Sequence, residues 1–273
     1  MRAPAPAREN LPGTRPEGAH PGGTPSERES AQYVQRMFSE IAGHYDLLNR
    51  LLSFSLDRLW RRRTAITLNH ILRLPHARVL DLCCGTGDLT LALKRRATHS
   101  CSPGAAIFGS DFAHPMLVRA VEKSKAAGAA EKSRAREITY FEADALAMPF
   151  PDSSFDLITI AFGFRNLANY DSGLREMLRL LRPGGEVGIL EFSEPGGALF
   201  GPLYRFYFLH VLPWIGGIIS GRGAAYTYLP ASVSRFPSAD VLARMMETAG
   251  FVAVRHESWT GGAVTLHRGT RPG

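Results

Sequence analysis

The sequence predicts an α/β fold in which a mainly parallel, seven-stranded sheet carries helices on both faces. From residue 78 onward, short β-branched and apolar runs alternate with longer helical stretches, a pattern typical of a parallel sheet covered on both sides. The first run ends in a glycine turn that opens a helix, and two strand-like runs close the chain. With 273 residues, 45% of them hydrophobic, the chain is long enough for one large domain.

The individual elements follow in order along the chain. The predicted strands are RVLDL (78–82), AAIFGSD (105–111), EITYFEAD (137–144), FDLITIAF (155–162), EVGILEF (186–192), GFVAVRHESW (250–259) and GGAVTLHRG (261–269). The predicted helices are 87–96, 114–127, 171–181 and 238–249. Pro115 falls in a first helical turn, where a missing N–H is harmless. The sequence RPGG (182–185) predicts a turn before the fifth strand, and the last two strands are expected to pair antiparallel at the sheet edge.

The segments outside the sheet differ in composition. Residues 1–30 hold six of the 18 prolines and few large apolar side chains, so we expect a disordered tail. They contain no apolar core typical of a secretory signal, which favours a cytoplasmic location. Residues 31–75 are expected to form an N-terminal helical cap, and residues 31–273 a single domain.

An apolar insert occupies residues 196–230. Charged, histidine and proline residues interrupt it before the roughly 20 residues that a membrane span requires. One interpretation of the insert is a buried helical pair. The other is an apolar lid that contacts an apolar substrate or a membrane surface. Its aromatic side chains could line a channel, with Tyr226 and Tyr228 at the exit. The other aromatic residues in question are Phe200, Tyr204, Phe206, Tyr207, Phe208 and Trp214.

The formal net charge of +7 belongs to the folded part, because the arginines of the tail balance its glutamates. The densest basic cluster is Arg58, Arg61, Arg62 and Arg63. Such a cluster is usually a solvated helix face, but it could also attract nucleic acid or an anionic membrane. The three cysteines include the adjacent pair Cys83–Cys84, which fits neither a disulfide framework nor a zinc site. We expect reduced thiols and no metal.

The glycine turn VLDLCCGTGDLT (79–90) resembles the opening of a dinucleotide-binding fold, but two details differ. Thr90 stands where a third glycine would be, and Asp81 ends the strand, where a carboxylate would repel phosphates. S-adenosyl-L-methionine carries a sulfonium cation and no phosphate, so it suits an acidic pocket. We therefore predict that Asp81, Gly85 and Gly87 contribute to a binding site for S-adenosyl-L-methionine.

Two further acids end the next strands. Asp111 is placed to accept hydrogen bonds from ribose hydroxyls, although it could instead cap the following helix. Asp144 and Ala145 are placed to face the adenine amino group, with a plain turn as the alternative. Three acids at three successive strand ends are more specific than any one alone. Cys83 and Cys84 are expected to pack beside the loop, because no base is near them.

The chain resembles the demethylmenaquinone and polyprenyl-benzoquinol C-methyltransferase family over roughly residues 31–269. The segments that carry the resemblance are YDLLNRLLSFSLDRLW, VLDLCCGTGDLT, DALAMPFPDSSFDLITIAFGFRN, LRPGGEVGILEFSEP and GGAVTLHRG. It implies a Rossmann-like class I methyltransferase fold, S-adenosyl-L-methionine as donor and a prenylated quinol as acceptor. The expected reaction is C-methylation of demethylmenaquinol in menaquinone biosynthesis, or of 2-methoxy-6-polyprenyl-1,4-benzoquinol in ubiquinone biosynthesis.

The resemblance also implies site residues. Donor positions of the family fall on Thr86, Asp111 and the pair Asp144–Ala145. A further donor position, commonly serine, is Ala161 here. Ser55 and Asp57 replace a usual glycine and histidine, so the role of position 57 is open. The insert sequence ISGRGAAYTYL also lacks the acidic or Asn residue usual before its tyrosines.

For the chemistry, we expect Arg165 to be a fixed cation that stabilises a phenolate, with a surface ion pair as the alternative. Asn166 is expected to hydrogen-bond the second ring oxygen. Tyr45, Asp46 and Asn49 would complete the polar end of the pocket, with Leu59 and Trp60 alternatively part of the core. Asp46 is the candidate general base, and His44 and His210 are alternatives.

Other functional classes stay open at this point. A methyltransferase acting on a sterol, small phenol or RNA is one, although no NPPY-like loop or RNA-binding module is present, so we expect no nucleic-acid partner. A non-catalytic donor-binding subunit of a quinone-making complex is another. Peripheral contact with the inner face of the membrane and a homodimer are also compatible with the sequence.

Overall fold

A computed structural model describes residues 18–19, 21–24, 26–99, 104–131, 137–193, 195 and 223–273. Within these ranges the strands are β1 (Arg78–Leu82), β2 (Ala106–Asp111), β3 (Thr139–Glu142), β4 (Phe155–Ala161), β5 (Leu181–Phe192), β6 (Val252–Trp259) and β7 (Val264–Thr270). Their order in the sheet is β3-β2-β1-β4-β5-β7-β6. β1 to β5 run parallel, and β7 pairs antiparallel with β5 and β6. The predicted sheet and its antiparallel edge pair are confirmed.

Helices cover both faces of this sheet. They are α1 (Glu27–Ile41), α2 (Tyr45–Leu52), α3 (Leu56–Thr67), α4 (Asn69–Leu72), α5 (Asp88–His99), α6 (His114–Glu131), α7 (Tyr170–Leu180), α8 (Gly223–Arg235) and α9 (Ala239–Ala249). Local signals fix several ends: Asn169 accepts the N–H of Ser172 at the start of α7, and Gly250, with φ of 110°, ends α9. The four helices predicted between and beside the strands are confirmed.

The core lies on both sides of the sheet, because successive side chains of a strand point to opposite faces. On one face, Leu80 of β1 packs in a cluster with Leu174 of α7 and Met246 of α9. On the other, the neighbouring Val79 packs with Leu93 of α5. Burial on both faces explains why the central strands are nearly continuous apolar runs.

Several predicted ends are displaced by a few residues, and two predictions are wrong in kind. The RPGG sequence is not a separate turn, since it lies within β5 as an irregularity between the pairs Phe155–Leu181 and Leu157–Glu186. The described residues 18–19, 21–24 and 26–30 are not a disordered tail, because α1 begins at Glu27 and the Ala19 N–H donates to the Leu167 carbonyl at 2.8 Å. Contacts with distant residues stabilise this segment, and its composition does not reveal them. Residues 1–17 and 196–222 lie outside the described ranges.

Candidate active site

The glycine loop that follows β1 has a backbone that only a few residue types adopt. Cys83, Gly85 and Gly87 have φ of 48°, 55° and 80°, in the left-handed region that favours glycine. A Cβ on Gly87 would lie 2.6 Å from the Tyr140 hydroxyl oxygen, so a larger residue does not fit. The loop therefore packs closely at the carboxyl ends of the parallel strands, where ligands bind in open α/β sheets.

Asp111 holds this loop at the end of β2. Its Oδ2 accepts the Gly85 N–H at 2.8 Å, and its Oδ1 accepts the Ala113 N–H at 2.9 Å. Burial raises the pKa of the carboxyl to about 6, although these backbone hydrogen bonds oppose the rise. The side chain lines the cleft, so it both orders the start of α6, as the capping alternative required, and faces the ligand space.

Asp81 has a different position from the one predicted. Its carboxylate is 1% exposed and accepts the hydroxyls of Thr90 and Thr159 at 2.6 and 2.8 Å. It does not line the cleft, so the predicted contact between its side chain and a ligand is wrong. Thr90, which replaces the third glycine of a dinucleotide motif, is therefore a partner for a buried acid beneath the loop.

The cleft itself has about 710 Å³ of free space, part of it open to solvent. Of the residues predicted to bind the donor, Gly85, Asp111, Asp144 and Ala145 line it. The remaining lining residues are Ala31, Phe38, Tyr45, Cys83, Phe112, Met116, Ala143, Leu146, Ala161, Phe162, Gly163, Asn166, Leu167 and Ala168. Among the described lining residues two are carboxylates and none is Lys or Arg. The cleft is thus acidic, narrow and otherwise largely apolar.

Asp144 and Ala145 form the rim beside β3. Asp144 is exposed, and its Oδ1 accepts the Leu146 N–H at 2.9 Å, so the turn interpretation holds for its side chain. Ala145 is buried against the cleft. Ala161 occupies the end of β4 and offers no hydroxyl there.

Tyr45 of α2 is brought into the cleft by the N-terminal cap. Its ring packs edge-on against Phe38 at 6.0 Å between centroids. Burial raises the pKa of its hydroxyl, while a hydrogen bond with Asn49 and the nearby Arg61 and Arg165 oppose the rise. The hydroxyl therefore stays protonated at neutral pH and is available as a donor.

Asp46 is not brought into the cleft. Its carboxylate accepts the Thr86 hydroxyl at 2.5 Å and the Lys123 ammonium at 2.8 Å. Burial raises the pKa of Asp46, but these hydrogen bonds and the charge of Lys123 outweigh it, and the net pKa is lowered. The prediction of Asp46 as general base is wrong, because a carboxylate held this way is a weak proton acceptor. Thr86, which donates its hydroxyl to Asp46, likewise does not line the cleft.

Lys123 of α6 joins the cap to the glycine loop. Besides Asp46 it contacts the hydroxyl of Thr86 at 3.0 Å and pairs with Asp88 at the start of α5. We call this group, Asp46, Thr86, Asp88 and Lys123, the cap latch. No sequence pattern indicated a role for Lys123, because its partners lie 35 to 77 residues away.

Arg165 follows β4 in the short 3-10 turn Phe164–Asn166. It is 5% exposed, and its Nη1 lies 2.6 Å from Glu191 Oε1 and 2.5 Å from the Phe162 carbonyl oxygen. It does not line the cleft. Arg165 is therefore a fixed cation, as the sequence interpretation had it, but it is fixed as one half of a buried ion pair. The alternative of a surface ion pair is wrong, because both side chains are buried.

Asn166, in contrast, lines the cleft. Its Oδ1 accepts the Tyr228 hydroxyl at 3.0 Å, and burial raises the pKa of Tyr228 to about 12, so this tyrosine remains a donor. Because Oδ1 is the acceptor, Nδ2 is the donor end of the Asn166 amide. It makes only a long contact, 3.4 Å, to the Phe162 carbonyl oxygen. Glu191 and Tyr228 are thus supporting residues whose roles the sequence did not indicate.

Of the remaining residues considered in the sequence analysis, those that the structure describes lie outside the cleft lining or pack beside the glycine loop. His44 is exposed and lies outside the cleft lining, and Trp60 is a buried core residue. Burial raises the pKa of Cys83 and Cys84 well above the ordinary thiol value, which agrees with packing rather than catalysis. Among the described residues no His, Cys, Asp and Glu cluster could hold a metal ion. His210, the insert aromatics and the Tyr226 side chain lie outside the described residues.

The fold and the cleft together define a class I, S-adenosyl-L-methionine-dependent methyltransferase. The fold is similar to that of a solved Thermotoga maritima SAM-dependent methyltransferase, described as a possible histamine N-methyltransferase, with a TM-score of 0.58. That likeness covers 86% of this chain and 98% of the other at 17% sequence identity, so it concerns the fold alone.

More specifically, the chain belongs to the ubiE/COQ5 methyltransferase family, whose model matches residues 26–271. It is 52% identical over 236 residues to a Thermus thermophilus protein named demethylmenaquinone methyltransferase, covering 86% of this chain and 100% of that protein. It is 45% identical over 243 residues to a Geobacter sulfurreducens protein named ubiquinone/menaquinone biosynthesis C-methyltransferase UbiE, covering 89% and 90%. The resemblance found in the sequence is confirmed.

Proposed function

We propose that this enzyme transfers a methyl group from S-adenosyl-L-methionine to a ring carbon of demethylmenaquinol, which gives menaquinol. The observation that carries the proposal is the cleft, which combines two carboxylates, no cationic side chain among its described lining residues, and two uncharged donors, Tyr45 and Asn166. The family membership and the Thermus thermophilus relative support the choice of acceptor.

The residues of the cleft fit the proposed donor. Each Asp111 oxygen accepts one backbone N–H and retains a lone pair for a ribose hydroxyl. The apolar side chains of Phe112, Met116 and Leu146 line the same space and suit a purine ring. S-adenosyl-L-methionine supplies an electrophilic methyl group on a sulfonium centre, and an acidic cleft without Lys or Arg attracts that positive charge while it disfavours phosphates.

Tyr45 and Asn166 would act on the acceptor. A quinol carbon becomes a good nucleophile when a neighbouring hydroxyl loses its proton, and an unperturbed phenol titrates near pH ~10. Two hydrogen-bond donors aimed at that oxygen stabilise its anionic form, most strongly where water is excluded. In this proposal neutral donors replace the cation predicted from the sequence, and holding both reactants together contributes on the order of 7–11 kcal/mol at best.

Arg165 would contribute by position. It binds the carbonyl of Phe162 and pairs with Glu191, so it fixes the turn that carries Asn166. Phe162 itself has φ of 59°, a conformation that costs on the order of 1–3 kcal/mol and persists where its surroundings enforce it. We therefore assign Arg165 as a positioning residue rather than a catalytic one.

Benzoquinol methylation in ubiquinone biosynthesis is the second candidate, favoured by the name of the Geobacter sulfurreducens relative. Parallel turnover assays with demethylmenaquinol and the demethylated benzoquinol distinguish the two. Under the proposal demethylmenaquinol has the higher kcat/KM, and a clear preference for the benzoquinol would overturn it.

Tyr45→Phe and Asn166→Leu test the assigned donors. Each should lower kcat by about 10-fold to 100-fold, because a donor to the developing charge is lost, while donor affinity stays within about threefold. Unchanged kcat in both variants would show that the acceptor does not use these groups. Within the described part of the chain no helix is long and apolar enough to cross a membrane. The cytoplasmic location expected from the sequence is part of this proposal. Analytical ultracentrifugation of the purified chain tests the homodimer that is compatible with the sequence.

A further inference from the structure

Exposed apolar side chains occur along α3 and in the turn before it, outside the cleft. Leu59 and Ile66 of α3 are 55% and 47% exposed, and their spacing of seven residues puts them on one helix face. Phe54, in the turn before α3, is 74% exposed. The alternative that placed Leu59 in the core is therefore wrong, and the buried side of α3 is formed instead by residues such as Trp60 and Ala65.

Arginines share this face. Arg58 and Arg62 are exposed and lie four residues apart, and Arg62 is four residues before Ile66. Within the described chain neither of these arginines forms an ion pair. Arg61, which the sequence placed in the same basic cluster, points inward and pairs with the buried Asp57.

The turn between α2 and α3 holds Phe54 in place. Phe54 and Ser55 have φ of 52° and 62°, and two successive non-glycine residues rarely adopt this left-handed conformation. The Ser55 N–H donates to the Arg50 carbonyl at 2.7 Å, and the Leu56 N–H to the Ser53 carbonyl at 3.0 Å. The unfavourable left-handed backbone conformation thus occurs at Phe54, whose aromatic side chain is largely exposed.

We propose that this face, formed by Phe54, Arg58, Leu59, Arg62 and Ile66, docks on an anionic lipid bilayer. The apolar side chains would enter the boundary between headgroups and acyl chains while the guanidinium groups contact lipid phosphates. Nucleic acid would use the charges but leave the apolar side chains in water. A symmetric contact with a second copy would bring the same arginines towards their own counterparts.

The face and the cleft belong to the same cap. α2 places Tyr45 in the cleft, the cap latch ties α2 to the glycine loop, and the strained turn joins α2 directly to α3. A lipid-docked cap would therefore stand between the bilayer and the acceptor end of the cleft. This link rests on the proposed acceptor, whereas the docking itself does not depend on it.

Vesicle co-sedimentation of the full chain tests the proposal. The wild type should bind vesicles of phosphatidylcholine mixed with phosphatidylglycerol and bind phosphatidylcholine alone much more weakly. Arg58→Gln/Arg62→Gln should weaken binding to the anionic vesicles about 30-fold, or about 2 kcal/mol at roughly 1 kcal/mol per cation. Phe54→Ser/Leu59→Ser should weaken it about tenfold through lost apolar contact.

Arg119→Gln/Arg244→Gln is the matched control, because it removes two exposed arginines elsewhere and should change binding by less than about threefold. Circular dichroism and calorimetric affinity for S-adenosyl-L-methionine confirm that each variant is folded. Equal binding to both vesicle types, or equal losses in the face and control variants, would overturn the proposal. So would a face variant that loses RNA binding or self-association while it keeps its affinity for vesicles.

Discussion

The buried ion pair between Arg165 and Glu191 gives the sharpest prediction for variants. The two side chains are 5% and 1% exposed, so removing either one leaves an uncompensated charge in the core. We expect Arg165→Met and Glu191→Leu each to cost about 3–5 kcal/mol, whereas replacing a whole buried pair by apolar residues is often close to neutral. The double variant should therefore be far more stable than the two single losses added together.

Urea denaturation at neutral pH measures these free energies of unfolding. Each single variant should also lower the melting temperature by on the order of 10 °C for a domain of this size. Arg182→Met is the control, since its pair with Asp156 is partly exposed and should contribute about 0–1 kcal/mol. Additive losses in the double variant would show that the two side chains do not interact as the structure has them.

The turnover of the folded double variant tests whether Arg165 acts by positioning Asn166. Because Arg165 lies outside the cleft lining, donor affinity should stay within about threefold, while kcat falls about 100-fold as the turn carrying Asn166 loses its clamp. Wild-type kcat in the double variant would refute the positioning role. Loss of donor binding with kcat unchanged at saturation would show that Arg165 serves the donor site instead.

Three further predictions concern the loop and the cap. Lys123→Met should cost about 1–2 kcal/mol by urea denaturation and weaken donor binding about tenfold, because Asp46 loses its cation; an unchanged calorimetric affinity would contradict the cap latch. Donor affinity should fall as the pH drops below about 6, since burial raises the pKa of Asp111 to about that value and the protonated form loses an acceptor, and Asp111→Asn should make the profile flat. The effect of Asp111 on stability has the opposite pH dependence. The folded chain holds the Asp111 proton more tightly than the unfolded chain, so the contribution of this group to the free energy of unfolding decreases as the pH rises from about 4 to about 6. Gly163→Ala should cost about 1–3 kcal/mol, since its Cβ would lie 2.5 Å from that of Cys83, and Cys83→Gly should recover the loss; no recovery would mean that another contact limits position 163.

Local patterns predicted most of the fold because they depend on neighbouring residues. Strand β1 matched its prediction at both ends, and the position of Asp111 at the end of β2 followed from the parallel sheet. The prediction of a separate turn at RPGG was wrong because pairing with β4 overrides the turn preference of this sequence. The prediction of disorder before α1 was wrong because the residue that stabilises this segment, Leu167, is far away in the chain.

The site was predicted in its composition but not in its electrostatics. Residue types and strand ends brought Gly85, Asp111, Ala145 and Asn166 to the cleft. The ion pairs of Asp46, the candidate general base, and of Arg165, the candidate fixed cation, were not predicted, since each partner comes from another part of the chain. Whether a charged side chain faces a ligand or a partner depends on long-range contacts, which one sequence does not show.

The most direct test is methyl transfer from S-adenosyl-L-methionine with an isotopically labelled methyl group to demethylmenaquinol, followed by mass spectrometry. We predict a menaquinol that carries the label on a ring carbon, and equimolar S-adenosylhomocysteine. Binding of the donor without any labelled product, or a label found on a ring oxygen, would contradict C-methylation by this cleft.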